Sequence, residues 1–435
     1  MEDKHTFNRR TFLKIAGGAA LLAGGGFLAN RLDVFGKAAK QIERIAHPEK
    51  IEADFIRQII TSDPAVSRTI MWQSDSVQSA AAVEWREAEA SAVQRAVATN
   101  EAFTDDGRAA VLHVAGIEGL TPGRRYEYRL VNGEEASEWL PFAAAPERGG
   151  FKALIFPDSQ SSDYSDWQEV ARGAWQRNPD AGFFVNMGDL VDNGEDHTQW
   201  DAWLSAVAPL IEKIPFAPVM GNHETYDRNW KVRLPEAYLQ EFAVPDNDND
   251  SEAFSRYYYS FDYGPCHFAV INTQMDETAD FKQGLLEEQL AWLPEDMEKS
   301  RKRWKIALLH KDVLQYRIHN RPERTEGISD VGEVFMPLFD TLGVDLVFTA
   351  HLHTYRNRSH VQSFGRSAKG PLYILTGVAG NVRYPNLWID HALDEKVAPQ
   401  PETDNYLVLE AKDASLAVEC FLPDGTSIDR VEMVK

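Results

Sequence analysis

The sequence predicts an all-β sandwich followed by a larger α/β domain, and three observations carry that prediction. Residues 51–147 hold short runs of alternating apolar and polar residues parted by turn dipeptides, with no helical period. After Glu147-Arg148-Gly149-Gly150 the texture changes. Through 148–435, apolar runs alternate with amphipathic stretches such as YSDWQEVARGAWQRN and HTQWDAWLSAVAPLIEKI. A length of 435 residues is also more than one core usually organises.

The first domain reads as strands IRQII, RTIMWQ, AAVEWRE, AVLHVAGI and RRYEYRL, with a last one inside SEWLPFAAAP. Alternation is clearest in Arg125–Leu130, where Tyr126, Tyr128 and Leu130 share one face. A Pro-Gly turn precedes that strand and an Asn-Gly turn follows it. Trp72 is the candidate core tryptophan, and the mid-strand His113 is expected to pack or face solvent without doing chemistry. A spacer, a substrate rim and a dimerisation module all remain open as roles for this domain.

Lys and Arg number 45 against 67 Asp and Glu, a formal charge of −22 that repels polyanions and argues against a general nucleic-acid binder. Cys266 and Cys420 could form one disulfide outside the cell or remain two buried thiols, and neither has metal-site spacing. NRRTFLK (Asn8–Lys14) precedes the weakly hydrophobic, glycine-rich run Ile15–Ala29. As a helix that run spans about 22 Å, short of a bilayer core of ~30 Å. Residues 1–30 therefore resemble a twin-arginine export signal built on Arg9-Arg10, and 31–50 reads as a linker. The expected location is extracellular, cell-surface or periplasmic, with no permanent membrane span unless the leader is retained.

The informative residues of the second domain follow its apolar runs. KALIFP leads to Asp158-Ser159-Gln160, and AGFFVNM to Gly188-Asp189 with Asp192 and Asn193. PFAPVM leads to Gly221-Asn222-His223-Glu224, WKIALL to His310, and VDLVFTA to His351 and His353. Ligand sites of α/β sheets form at the carboxyl ends of strands. Singly, these residues are ordinary turn formers and caps. Together they offer carboxylates, an amide and imidazoles at one predicted edge, a borderline-hard set that suits Mn, Fe or Zn better than a Ca or Mg cage.

The ordered set of Asp158-x-Gln160, GDLVD, GNHE, His310 and AHLH resembles that of the calcineurin-like metallophosphoesterases, in their purple-acid-phosphatase-like branch. RYYYSFDYGPCHFAVINT (Arg256–Thr273), GPLYILTGVAGN (Gly370–Asn381) and LTPGRRYEYRL extend the likeness over the chain from roughly Phe55 onward. The resemblance implies a fibronectin type III-like sandwich before a four-layer α/β domain, a β-sandwich flanked by helices. It also implies two metals, divalent or of mixed valence, about 3.5 Å apart. Asp189 would bridge them, Asp158 and His353 would hold one, and Asn222, His310 and His351 the other. His223 and Asp192 are the implied catalytic pair, His223 serving the leaving oxygen and Asp192 orienting the loop or a ligand. Glu224, Arg356 and His197 are candidates for the substrate rim or for the shell behind the ligands, and Arg358, Tyr226, Asn381, Tyr384 and His319 also lie on nearby loops.

Three positions depart from the family pattern. Ala350 replaces a glycine, and Asp192 stands where purple acid phosphatases carry the tyrosine that colours them, so no tyrosinate absorption is expected. Gln160 stands where other branches have a histidine, either as a ligand itself or as a hydrogen-bond partner of one. The implied activity is hydrolysis of a small phosphate monoester by in-line attack of a metal-bridging hydroxide. Phosphodiester or nucleotide hydrolysis on the same centre, and a non-catalytic surface-binding protein that keeps the fold, are the alternatives. Nothing in the sequence sets an oligomeric state.

Overall fold

A run of strands precedes the first described helix. It consists of β1 (Asp54–Ile59), β2 (Ser67–Ser74), β3 (Ala81–Glu87), β4 (Gln94–Val97), β5 (Thr99–Asp105), β6 (Arg108–Glu118), β7 (Arg125–Asn132), β8 (Glu135–Ala136) and β9 (Leu140–Ala143). The structure is a computed structural model that describes residues 51–247 and 252–435, so the export signal expected at 1–30 and the linker at 31–50 lie outside the described residues. One layer of the sandwich runs β1-β2-β6-β5, and the other runs β4-β3-β7 with β8 and β9 also on β7. Tyr126, Tyr128 and Leu130 are all buried. Trp72 is fully buried and stacks on His113 at 4.9 Å. Burial holds the His113 imidazole down at about 4, and its Nε2 lies 2.7 Å from Ser74 Oγ, so it packs as a neutral group.

In the second domain, β10 (Phe151–Phe156), β11 (Phe183–Asn186) and β12 (Phe216–Pro218) are parallel neighbours, extended antiparallel by Tyr406–Ala411, Ser415–Phe421 and Ser427–Val434. A second sheet holds β13 (Tyr259–Tyr263), β14 (Cys266–Ile271) and β15 (Trp304–Leu309), followed by the parallel strands Leu346–Thr349 and Leu372–Thr376. Phe183 meets Phe261 and Phe268 of that sheet at 5.5 and 5.4 Å, which closes the core between the two layers. Helices α1 (Ser165–Arg177) and α2 (His197–Ile211) pack on the first sheet, Trp167 against Phe156 and Trp203 against Phe216. The stripe Trp200, Trp203, Leu204, Val207 and Leu210 is buried along α2. Helices Leu285–Lys299 and Asp330–Leu342 pack against the second sheet. This is the four-layer arrangement, β-sandwich with helices outside, that the resemblance implies.

The two domains share a sheet. β1 pairs in parallel with β12 at Ile59↔Phe216, so the strands of the first domain continue those of the second in one ten-stranded sheet. Beside this seam Arg57, fully buried, donates to Glu241 Oε2 at 2.8 Å, and Gln73 Nε2 donates to the same carboxylate. Cys266 and Cys420 are buried free thiols. Among the described residues no helix is long and apolar enough to cross a membrane.

At the edge of the second sheet, His267 bridges two carboxylates, Nδ1 to Asp262 Oδ1 and Nε2 to Asp296 Oδ2, both at 2.8 Å. Burial opposes its charge, but the two carboxylates win and raise it to about 9. A pKa raised above the ordinary 6.5 contributes stability that is full below about pH 6.5 and is lost as pH rises through 9. His267→Gln should therefore cost about 2 kcal/mol at pH 6 and much less at pH 10, read from urea unfolding midpoints. An equal cost at both pH values would remove the charged bridge from the account.

Candidate metal centre

Five strand ends converge. The loops after β10, β11 and β12 come from one sheet, and those after β15 and Leu346–Thr349 from the other. They carry Asp158, Asp189, Asn222, His310 and the pair His351 and His353, all on buried or nearly buried loops. Two groups of donor atoms result, Asp189 with His310 and His351, and Asp158 with Asp189 and His353, each with its ligand atoms within 4.8 Å of one another.

The loop backbones are bent to do this. Asp189, His351 and His353 have φ of 50°, 76° and 53°, in the left-handed region that costs a non-glycine residue energy. Ala350, in the place of the family glycine, is not among the positive-φ residues, so its Cβ is accommodated. Gly221 packs so closely on Asp189 that no Cβ would fit, which lets the loops after β11 and β12 touch.

Ring orientation follows from the second nitrogen of each histidine. His310 Nδ1 lies 2.9 Å from the Met187 carbonyl, and His353 Nδ1 lies 2.6 Å from that of Val382. A carbonyl only accepts, so each Nδ1 carries a proton, and in the neutral ring each Nε2 presents a lone pair. His310 Nε2 then faces Asn222 Oδ1 at 3.1 Å, His351 Nδ1 at 3.2 Å and Asp189 Oδ2 at 3.2 Å. His353 Nε2 faces Asp158 Oδ2 at 3.1 Å and Gln160 Nε2 at 3.3 Å. Electron-rich atoms crowded this closely in a buried site need positive charge between them, and two metal ions fit the donor set. Gln160 Oε1 is buried without a partner, and turning the amide over would aim it at the His353 group.

Without metal the cluster redistributes protons. Burial would raise Asp189, yet the His310 and His223 imidazoles hold it well below the usual carboxylate range. His310 is raised to about 9, its burial outweighed by Asp189, while burial and the His310 charge depress His351.

His223 stands at the edge of this cluster. Its Nδ1 lies 2.7 Å from the Asp192 carbonyl and 3.5 Å from Asp192 Oδ1, and its Nε2 lies 3.9 Å from Asp189 Oδ2. Glu224 lies behind the ligands. Its carboxylate accepts from the N–H of Asp189 (3.0 Å), Leu190 (2.8 Å) and Gly221 (2.7 Å), with Val191 N at 3.4 Å. Burial, and then the Asp189 charge, push Glu224 up to about 7.

Two candidates from the sequence fall elsewhere. Arg356 lies on the strand Tyr355–Gln362, buried, with Nη1 on Asp394 (2.6 Å) and Asp390 (2.9 Å), because these carboxylates compensate its charge in the core. His197, at the start of α2, turns towards the first domain, its ring 5.6 Å from Phe103. Tyr226 and Tyr384 do reach the cluster, with Tyr226 Oη 3.4 Å from Asn222 Nδ2 and the Tyr384 ring 4.9 Å from that of His353. Trp230, 5.6 Å from the His223 ring, escapes sequence reading, since a tryptophan in a polar loop carries no motif.

Removing the Glu224 carboxylate strands several buried N–H groups, each costing about 1–3 kcal/mol. Glu224→Ala should lower the stability of the metal-free protein by roughly 3 kcal/mol or more. Glu224→Gln, which keeps one acceptor oxygen, should fall between that variant and wild type in urea unfolding. Three matching curves would mean that the loops do not need this carboxylate.

Residues 151–355 match the calcineurin-like phosphoesterase family, and residues 54–144 match the purple acid phosphatase N-terminal domain. The chain is 26% identical to purple acid phosphatase 23 of Arabidopsis thaliana, over 62% of this chain and 63% of that one. It is 31% identical to purple acid phosphatase 15 of the same plant, over 47% of this chain and 36% of that one. It thus spans less than two thirds of the length of either relative. The purple acid phosphatase PPD1 from yellow lupin (Lupinus luteus) seeds has the same fold, with a TM-score of 0.75 over 88% of this chain and 74% of that one at 18% identity. The chain thus carries a match to a calcineurin-like phosphoesterase domain directly behind a match to a purple acid phosphatase N-terminal domain.

Proposed function

We propose that the chain is a dinuclear metal-dependent phosphoric ester hydrolase acting on small phosphate monoesters. The observation that carries this reading is the Asp189 carboxylate, common to both groups of donor atoms, as a ligand shared by two ions must be. Asp158 and His353, with Gln160 beside them, would hold one ion, and Asn222, His310 and His351 the other. When bound, the ions supply positive charge that binds the phosphoryl oxygens and makes water a nucleophile near neutral pH.

The chain's own residues do the rest. The Asp192 carbonyl fixes His223 through Nδ1, leaving Nε2 to carry a proton to the leaving oxygen. The carboxylates of Asp192 and Asp189, at 3.5 and 3.9 Å, balance the imidazolium charge. The amide of Asn222 ligates without adding negative charge, which keeps the pocket able to accept an anion. Asp192 offers no phenolate, so the loaded protein should be colourless in the tyrosinate band.

A second reading, phosphodiester hydrolysis, has an observation of its own. Arg358 is paired with Asp312, Lys311 with Glu277, and Arg383 with Asp404. These three cations are therefore already met by carboxylates, and a diester, which carries one charge fewer than a monoester, asks less of them. We also propose export through the twin-arginine segment, and Arg9→Lys with Arg10→Lys should leave the protein inside the cell.

The test of the catalytic reading is Asn222→Ala. Metal-loaded wild type should contain about two ions per chain by elemental analysis and hydrolyse an aryl phosphate. The variant should lose roughly a hundredfold or more in rate together with one equivalent of metal. Wild-type turnover in Asn222→Ala, or a wild type that takes up no manganese, zinc or iron, would end the reading. Rates on matched mono- and diesters at fixed metal separate the two substrate classes.

A further inference from the structure

His223 is walled on two sides by aromatic rings. Tyr226 meets it edge to face at 5.4 Å and Trp230 at 5.6 Å, and the two rings lie 6.0 Å from each other. Both aromatic side chains are half-buried on a loop at the site and do not belong to the core. The loop is built to hold them. The Asp227 carboxylate accepts from Asn229 N and Lys231 N, both at 2.8 Å, and Tyr226 bridges to Val232. Trp230 itself has φ 61°, a left-handed conformation that a bulky residue rarely adopts.

The loop is also held from outside its own domain. The tip of the β5–β6 hairpin presents Asp105 and Asp106 side by side. Asp105 accepts from Arg233 Nη1 at 3.0 and 2.9 Å, and Asp106 accepts from Arg228 Nη1 at 2.6 Å. Arg108, two residues on, pairs with Asp201 of α2. The arginines on either side of Trp230 thus point at the first domain and not across His223. What the wall offers a leaving group is aromatic surface.

We propose that Tyr226 and Trp230 form a leaving-group subsite for an ester whose alcohol carries a flat, uncharged ring, and that the β5–β6 hairpin of the first domain sets its position. The proposal rests on the phosphoesterase reading, since the subsite is defined by the histidine that serves the leaving oxygen. Face and edge contacts with aromatic rings recognise a ring without regard to its hydrogen-bonding pattern. A phenolic alcohol and a nucleoside share that chemistry, and the two differ in how far the ring stands from the phosphoryl group.

The experiment compares metal-loaded wild type with Trp230→Asn, because asparagine tolerates the left-handed backbone while removing the ring. The esters are phenyl phosphate, adenosine 5′-monophosphate and ringless glycerol 2-phosphate. A phenolate leaves more readily than an alkoxide, so the quantity read is the change on substitution. Trp230→Asn should lower kcat/KM for a ringed ester roughly tenfold more than for glycerol 2-phosphate, mostly through KM. A loss confined to phenyl phosphate assigns a phenolic ring, and one that includes the nucleotide assigns a base. Asp105→Ala combined with Asp106→Ala, which frees the loop without touching the wall, should raise KM for the ringed ester and leave that for the ringless one. Equal losses on ringed and ringless esters in both variants would overturn the proposal. Calorimetric binding of phenylphosphonate against methylphosphonate gives a readout without turnover. If wild type hydrolyses none of the esters, the phosphoesterase reading falls. A preference for phenylphosphonate that Trp230→Asn abolishes still supports the subsite, and equal binding of the two phosphonates removes it.

Discussion

The centre depends on one carboxylate that faces none of the converging ligand atoms. Glu224 gathers the N–H groups of Asp189, Leu190 and Gly221, and so ties the loop after β11 to the loop after β12. With that tie Asp189 can keep its left-handed φ and lie in both donor groups at once. The arrangement has a cost, because Glu224 is buried beside a second carboxylate and is pushed up to about 7. A cluster of buried N–H donors lets such a charge be tolerated, so the loops and the carboxylate stabilise each other.

The second sheet uses a buried carboxylate in the same way, here with a charged donor. Asp312 follows His310 by two residues and accepts from Thr349 Oγ1 and Arg358 Nη2, both at 2.6 Å. Thr349 precedes His351 by two, so a single carboxylate spans the strand ends that carry His310 and His351. Across the sheets, His310 Nδ1 reaches the Met187 carbonyl at 2.9 Å, just before the Asp189 loop. The centre is therefore not a property of either sheet. It exists only when the two layers are packed, as they are through the aromatic contacts of Phe183 with Phe261 and Phe268.

The strand ends were legible because apolar runs buried on both faces stand out, and the polar residue that follows each run has few ordinary reasons to recur five times. Other features left no such mark. Arg356 and Arg358 read as loop arginines because charge usually marks solvent, but here the strand is buried and Asp394 and Asp312 pay for both. The hairpin strands β4 and β5 lay unread in a polar stretch, since most of their residues face water and only Phe103 points inward. The shared sheet was hidden for another reason: the pairing of Ile59 with Phe216 is a single contact between distant runs, each satisfied in its own domain's pattern. Trp230 was missed because its meaning lies in a backbone angle and a neighbouring ring.

Charge explains how an acidic chain could serve a phosphate ester. At a formal −22, the protein repels an anion at long range, and a Debye length of about 8 Å confines that repulsion to the approach. Nearby arginines do not reverse it, since Arg356, Arg358, Arg228 and Arg233 are each held by carboxylates. On the proposed reading, positive charge for the phosphoryl group would come from the bound ions, and Asn222, as a neutral ligand, would preserve more of it than a carboxylate. On that reading selectivity among esters would pass from charge to the alcohol side, where His223 stands between two rings. The fold that brings the donor atoms together would then also give discrimination to the loop that Asp105 and Asp106 hold.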